Sequence, residues 1–127
     1  MKIAVATRRF ECIIGHAGKA RDWLVFDWES GRALAEPRRV SLEKADLFHH
    51  FQDDRPHPLD GVDLIVAGSA GDGFKRHMNA RGASVLLTGE EDPVAAVRKL
   101  VAGEPLADMR FDPTRMLCGV RDLFSRY

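Results

Sequence analysis

Short apolar runs alternate with glycine, proline and charge along this chain, and the lengths of those runs set the expected elements. Residues 2–7 (K-I-A-V-A-T) hold a short, partly β-branched apolar run, which predicts a buried opening strand. Residues 8–21 show no regular period. Residues 23–28 (W-L-V-F-D-W) predict a second strand, Glu29-Ser30-Gly31 a turn, and residues 33–40 a returning third strand, together a hairpin. Ser41 is a candidate cap for a helix running to Phe51, with Ala45, Phe48 and Phe51 near one face. Pro56 and Pro58 make residues 52–58 a loop. Residues 62–67 (V-D-L-I-V-A) predict a strand, 68–73 (G-S-A-G-D-G) a glycine-rich turn, and 74–80 a short helix with Phe74 and Met78 at i, i+4, ended by Gly82. Residues 83–87 (A-S-V-L-L) predict a last strand. Asp92-Pro93 is a strong helix start, with Val94, Val97, Leu100 and Val101 on the apolar face and Gly103 as the stop.

Hairpin strands followed by two strand–helix units predict an α/β domain with a mixed five-stranded sheet, antiparallel in its first half and parallel in its second, flanked by helices. That domain is expected to span residues 1–105. In the tail, residues 106–127, Asp112-Pro113 repeats the helix-start pattern, and Met116, Val120, Leu123 and Tyr127 fall at i, i+4, i+7 and i+11. Leu117 and Phe124 widen this stripe, while Gly119 weakens the helix. The tail reads as a helix docked on the domain, or as one offered to a partner.

Composition narrows the function classes. The chain has 127 residues, enough for a single domain, and 45% are apolar, enough for a core. Nineteen basic and 19 acidic residues balance, which argues against a nucleic-acid partner. Two cysteines, Cys12 and Cys118, make no disulfide framework. No secretory segment and no apolar run near the ~20 residues of a membrane span is visible. The expectation is a cytoplasmic protein with reduced thiols and no membrane association.

Candidate chemistry clusters in two places. Glycines at 68–73 let the chain turn tightly into a helix whose first N–H groups would face an anion, with Lys75 and Arg76 adding charge. Gly68, Gly71 and Gly73 space as G-x-x-G-x-G, neither the dinucleotide fingerprint nor a Walker loop. Helix packing and ligand contact account for such glycines equally well. The second cluster is imidazole: His16 between Gly15 and Gly18, then His49, His50 and His57, then His77. No zinc-type spacing links them, so a closed structural metal site is not expected. An open, loop-built metal or cluster site is, with His16, His49, His50 and His77 as candidate ligands and Cys118, placed off the tail's apolar stripe, as a further one. Cys12, beside Ile13-Ile14, reads as core. The carboxylates of Asp53-Asp54 and of residues 90–92 read as solvated turns and a helix cap. Ser69 in G-S-A-G is not a nucleophile elbow. No catalytic residues are assigned, and the chain is not expected to be an enzyme.

The opening M-K-I-A-V-A-T, the loop Gly15-His16-Ala17-Gly18-Lys19-Ala20 leading into residues 23–27, residues 60–73 (D-G-V-D-L-I-V-A-G-S-A-G-D-G), R-G-A-S-V at 81–85 and the helix ending Val101-Ala102-Gly103 resemble the nitrogenase iron–molybdenum cofactor biosynthesis family, the NifX-like domains. The resemblance covers about residues 1–105. It implies a ribonuclease-H-like fold and the binding or transfer of the iron–molybdenum cofactor or an iron–sulfur precursor as cargo, with no chemistry of the protein's own. It implies nitrogenase assembly proteins or a nitrogenase component as partners, and it puts His16 forward as the positional match, although the family's H-F-G reads H-A-G here. A module that escorts a nitrogenase component through its tail without carrying a cluster is the alternative. A metal-dependent nuclease fits worst, since the strand carboxylates are only Asp27 and Asp63 and the first strand has none.

Overall fold

The computed structural model describes residues 1–111. The elements, in chain order, are β1 (Lys2–Arg8), β2 (Cys12–Ile13), β3 (Asp22–Asp27), β4 (Arg38–Ser41), β5 (Leu64–Ala67), α1 (Asp72–Ala80), β6 (Ser84–Leu87), α2 (Pro93–Val101) and β7 (Arg110–Phe111). They build one mixed sheet in the order β4-β3-β1-β5-β6-β7, with β2 folded back on β1. β3 runs antiparallel to both β1 and β4, whereas β5 is parallel to β1 and β6 is parallel to β5. The five longer strands are thus the expected mixed sheet. The two-residue strands β2 and β7 extend it beyond what the pattern predicted.

Strict alternation sends each strand's residues to both faces, and both faces are covered. Ile3, Val5, Leu24, Phe26, Leu64, Val66 and Leu86 pack under Ala96, Val97 and Leu100 of α2. Ala4, Ala6, Trp23, Val25, Ile65, Ala67, Val85 and Leu87 face Met78 of α1 and the segment carrying Leu42, Phe48 and Leu59. Burial on both sides is why these strands read as unbroken apolar runs.

The structure corrects two expectations. Residues 41–51 are not a helix: Ser41 ends β4, a single 3₁₀ turn occupies Lys44–Asp46, and Leu47 at φ −57°, ψ 132° is extended. Leu42, Phe48 and Phe51 are all buried. At 100° per residue Phe48 and Phe51 would share one face of a helix, but Leu42 would point to the opposite side from Phe51. A chain that wraps over the sheet buries all three. The third strand is also shorter than residues 33–40, starting only at Arg38 after Pro37.

At the end of β1 the chain reverses through Arg9 and Phe10, both at positive φ (55° and 65°), with Glu11 N–H donating to the Arg8 carbonyl at 3.0 Å. Two consecutive left-handed residues define a primed turn, the type that suits a twisted hairpin. Neither residue is glycine, asparagine or aspartate, so the turn carried no sequence signal. The helix expected after Asp112-Pro113 and the thiol of Cys118 lie outside the described residues.

Candidate functional site

β1, β5 and β6 run in one direction, so their carboxyl ends share one edge of the sheet. Two loops meet there. The loop after β2 is pinned to the core by Ile14 N–H donating to the Ala6 carbonyl (3.0 Å) and by Gly68 N–H donating to the Ile14 carbonyl (2.9 Å). A β-carbon on Gly68 would lie 3.3 Å from Gly15 N and from the Ile14 carbonyl oxygen. Glycine at 68 therefore serves close backbone approach. Ser69 completes the seam: its Oγ accepts from His16 N–H at 2.9 Å, and its carbonyl accepts from Ala17 N–H at 3.1 Å.

This seam holds His16 at φ 56°, ψ 58°, a left-handed conformation that costs a non-glycine residue about 1–2 kcal/mol. The residue is exposed, and among the described residues its ring has no hydrogen-bond partner. A strained backbone thus presents an imidazole that has no hydrogen-bond partner among the described residues at a strand-end loop.

Two residues on, the Gly18 carbonyl accepts from His49 N–H at 2.7 Å. That bond brings the segment bearing His49 and His50 to the same rim. Both histidines are exposed, and their rings meet edge to face at 4.9 Å. His77 lies elsewhere. It sits in the last turn of α1, where its Nε2 is 2.7 Å from Asp53 Oδ2. Arg81 is there too, bridging Asp53 and Asp60, far from the amino end of the helix. Among the described residues no three histidine, cysteine, aspartate or glutamate side chains converge on one point as a metal site.

The amino end of α1 follows the glycine turn as expected, with Gly71 as N-cap and no side-chain cap. Gly71, Asp72 and Gly73 are exposed. Asp72 occupies the first turn, places its own carboxylate on the helix dipole and pairs with Lys75 at 3.9 Å. Arg76 is exposed beside it. The net local charge is modestly positive. On the other side of Gly68, a cavity of about 480 Å³ opens between Thr88, Gly89, Asp108, Met109 and Arg110.

Sequence reasoning missed His57, the one histidine of five that is buried, at 4% exposed. Its ring stacks on Phe48 at 4.4 Å and meets Phe51 edge-on at 4.7 Å. Nδ1 accepts from Leu59 N–H (3.0 Å), so Nε2 carries the proton and donates to the Asp46 carbonyl (2.7 Å). Burial lowers its pKa below the usual 6.5, with Arg81 adding to the depression and the Asp46 carbonyl opposing it. No local signal marked it: Phe48 and Phe51 both precede it in the chain, and the imidazoles that stand between them in sequence, His49 and His50, are exposed. Cys12, expected in the core, is half-buried on β2.

Residues 1–103 match the family model described as dinitrogenase iron-molybdenum cofactor. No curated protein matches. Solved structures share the fold at low identity. PH0822 is 18% identical with a TM-score of 0.62, over 91% of this chain and 98% of its own. A dinitrogenase candidate from Methanocaldococcus jannaschii is 9% identical with a TM-score of 0.64, over 89% and 95%. A NifB candidate from Thermotoga is 14% identical with a TM-score of 0.54, over 87% and 91%. No helix among the described residues is long and apolar enough to cross a membrane.

Proposed function

The chain belongs to the dinitrogenase iron–molybdenum cofactor family, and from that premise we propose that it binds an iron–sulfur precursor or the finished iron–molybdenum cofactor and hands it on during nitrogenase cofactor assembly. The observation that carries this reading is the His16 seam, with an imidazole free of hydrogen bonds among the described residues and held by backbone contacts at the strand-end edge. An imidazole is a good iron ligand, and an exposed one can exchange its metal with a second protein. His49 and His50 are candidate second contacts, brought to the rim through Gly18. Lys75 and Arg76, with the amides of Gly71 and Gly73, would offset the negative charge of the cargo, whereas the Gly68 N–H already donates to the Ile14 carbonyl.

The reading assigns His77 a weaker place than His16, because Asp53 already engages its ring. Cys118 stays a candidate ligand by chemistry alone. A carrier makes and breaks no covalent bond in its cargo, so the reading assigns no catalytic residue. Donor and acceptor would be nitrogenase assembly proteins or a nitrogenase component.

The test is anaerobic mixing of the full chain with isolated iron–molybdenum cofactor, followed by gel filtration with iron and molybdenum analysis. Both metals should co-elute with the protein, and His16→Ala should weaken retention by at least about tenfold, since loss of a ligand's outer-shell partner alone costs about 10–100-fold in metal affinity. Absence of metal from the wild-type peak would reject the carrier reading.

A further inference from the structure

Ser69 sits in the glycine turn without a nucleophile's setting, and the structure gives its hydroxyl a different task. We propose that Ser69 is the positioning residue of the site: its Oγ, by accepting the His16 N–H, fixes His16 in the left-handed conformation and so sets where the imidazole points. This rests on the reading of His16 as the cargo ligand.

Three observations carry it. Ser69 engages two consecutive amides of the histidine loop, His16 N–H through its hydroxyl at 2.9 Å and Ala17 N–H through its carbonyl at 3.1 Å. Only the first depends on the side chain, so substitution can separate the two. Of these two residues, His16, clamped through the hydroxyl, is the left-handed one, at φ 56°. A left-handed non-glycine residue persists only where its surroundings over-determine it. Third, the sequence leaves room for the hydroxyl. A β-carbon on Gly15 would lie 2.8 Å from Ser69 Oγ but 3.8 Å from Ser69 Cβ. Glycine at 15 thus leaves the hydroxyl its place: a β-carbon there would force the hydroxyl, but not the serine backbone, to move.

That last point gives a sharp double-mutant test. The full chain, labelled with ¹⁵N and free of cargo, is compared as wild type, Ser69→Ala, Ser69→Thr, Gly15→Ala and the Gly15→Ala/Ser69→Ala double variant. The readouts are amide hydrogen exchange at His16 and the coupling constant that reports its φ. Ser69→Ala should speed His16 exchange by about tenfold or more, the size of one lost hydrogen bond, with β1 amides unchanged. Ser69→Thr, which keeps the hydroxyl, should restore slow exchange. Gly15→Ala should speed exchange in the wild type by displacing the hydroxyl, and should add less than about twofold in the Ser69→Ala background, where only ordinary contact is left. Retention of isolated iron–molybdenum cofactor should fall in Ser69→Ala and return in Ser69→Thr.

Unchanged exchange and coupling in Ser69→Ala would overturn the assignment. So would a Ser69→Thr variant that behaves like Ser69→Ala, or full additivity of the two substitutions. Failure of the wild type to retain cofactor would instead overturn the carrier reading. The cargo-free measurements would still decide the role of Ser69.

Discussion

His57 shows how much one side chain organises here. Its neutral Nε2–H tautomer satisfies both ring nitrogens within residues 46–59, and its own N–H donates to Asp60 Oδ2 at 2.9 Å. A protonated ring would turn the Nδ1 acceptor into a donor facing the Leu59 N–H, beside the Arg81 guanidinium. The unfolded chain takes up this proton near pH 6.5, whereas the folded chain resists it until lower pH. Between those two values the unfolded state binds more protons, so stability falls as pH falls and levels off only below the folded-state pKa. Urea midpoints for the wild type should therefore drop on acidification from about pH 7.5 to about pH 5. His57→Gln should be less stable at neutral pH and show a flatter slope across that window. An identical slope in the variant would assign the acid sensitivity to other groups. Glu90, whose pKa is lowered by hydrogen bonds from Lys99 and the Ala107 N–H, acts in the same direction but across the lower carboxylate range, which separates the two.

At the scale of elements, the signals that held were those written in local chemistry. Asp92-Pro93 starts α2 as expected, with Asp92 Oδ1 accepting from Val94 N–H (3.0 Å) and Ala95 N–H (3.1 Å) and Pro93 at the first helical position. Asp92→Ala should cost about 1 kcal/mol, within the ~0.5–2 range of a lost N-cap, measured by chemical denaturation. A change within error would mean that packing of Val97 and Leu100 alone sets the start of the helix. The buried strands were legible because both faces of the sheet are covered. Residues 41–51 were misread because Ser41, Ala45, Phe48 and Phe51 mimic a capped amphipathic helix, whereas Phe48 packs on Trp23 and Phe74, both distant in sequence, and on His57 beyond the proline loop. The site was legible in part for the same reason. His16 and the glycine turn stand out as residue types, but the Ser69–His16 bond joins positions 53 apart, and no local pattern encodes it. Pairing of His77 with Asp53, 24 residues away, was equally invisible.

Across the whole molecule, stability and site belong to different layers. β1 lies in the middle of the sheet, hydrogen-bonded to β3 on one side and β5 on the other, with Ile3, Ala4, Val5 and Ala6 fully buried. The His16 loop, by contrast, is held to the strand-end edge by a handful of backbone and hydroxyl contacts. On the carrier reading proposed above, that division would let the loop adjust to cargo without loosening the fold. The division predicts two patterns of hydrogen exchange. Phe26→Ala removes a fully buried ring beneath α2 and should cost about 3–5 kcal/mol, a large share of the ~5–15 kcal/mol that holds a domain together. Exchange at β1 and β3 amides, which open only with the whole domain, should accelerate in proportion to that loss. Amides of the His16 loop should accelerate far less, as expected of amides that exchange through local opening. If Phe26→Ala sped both regions equally, the loop would be part of the same cooperative unit as the sheet, and the cargo exchange proposed for His16 would require motion of the core.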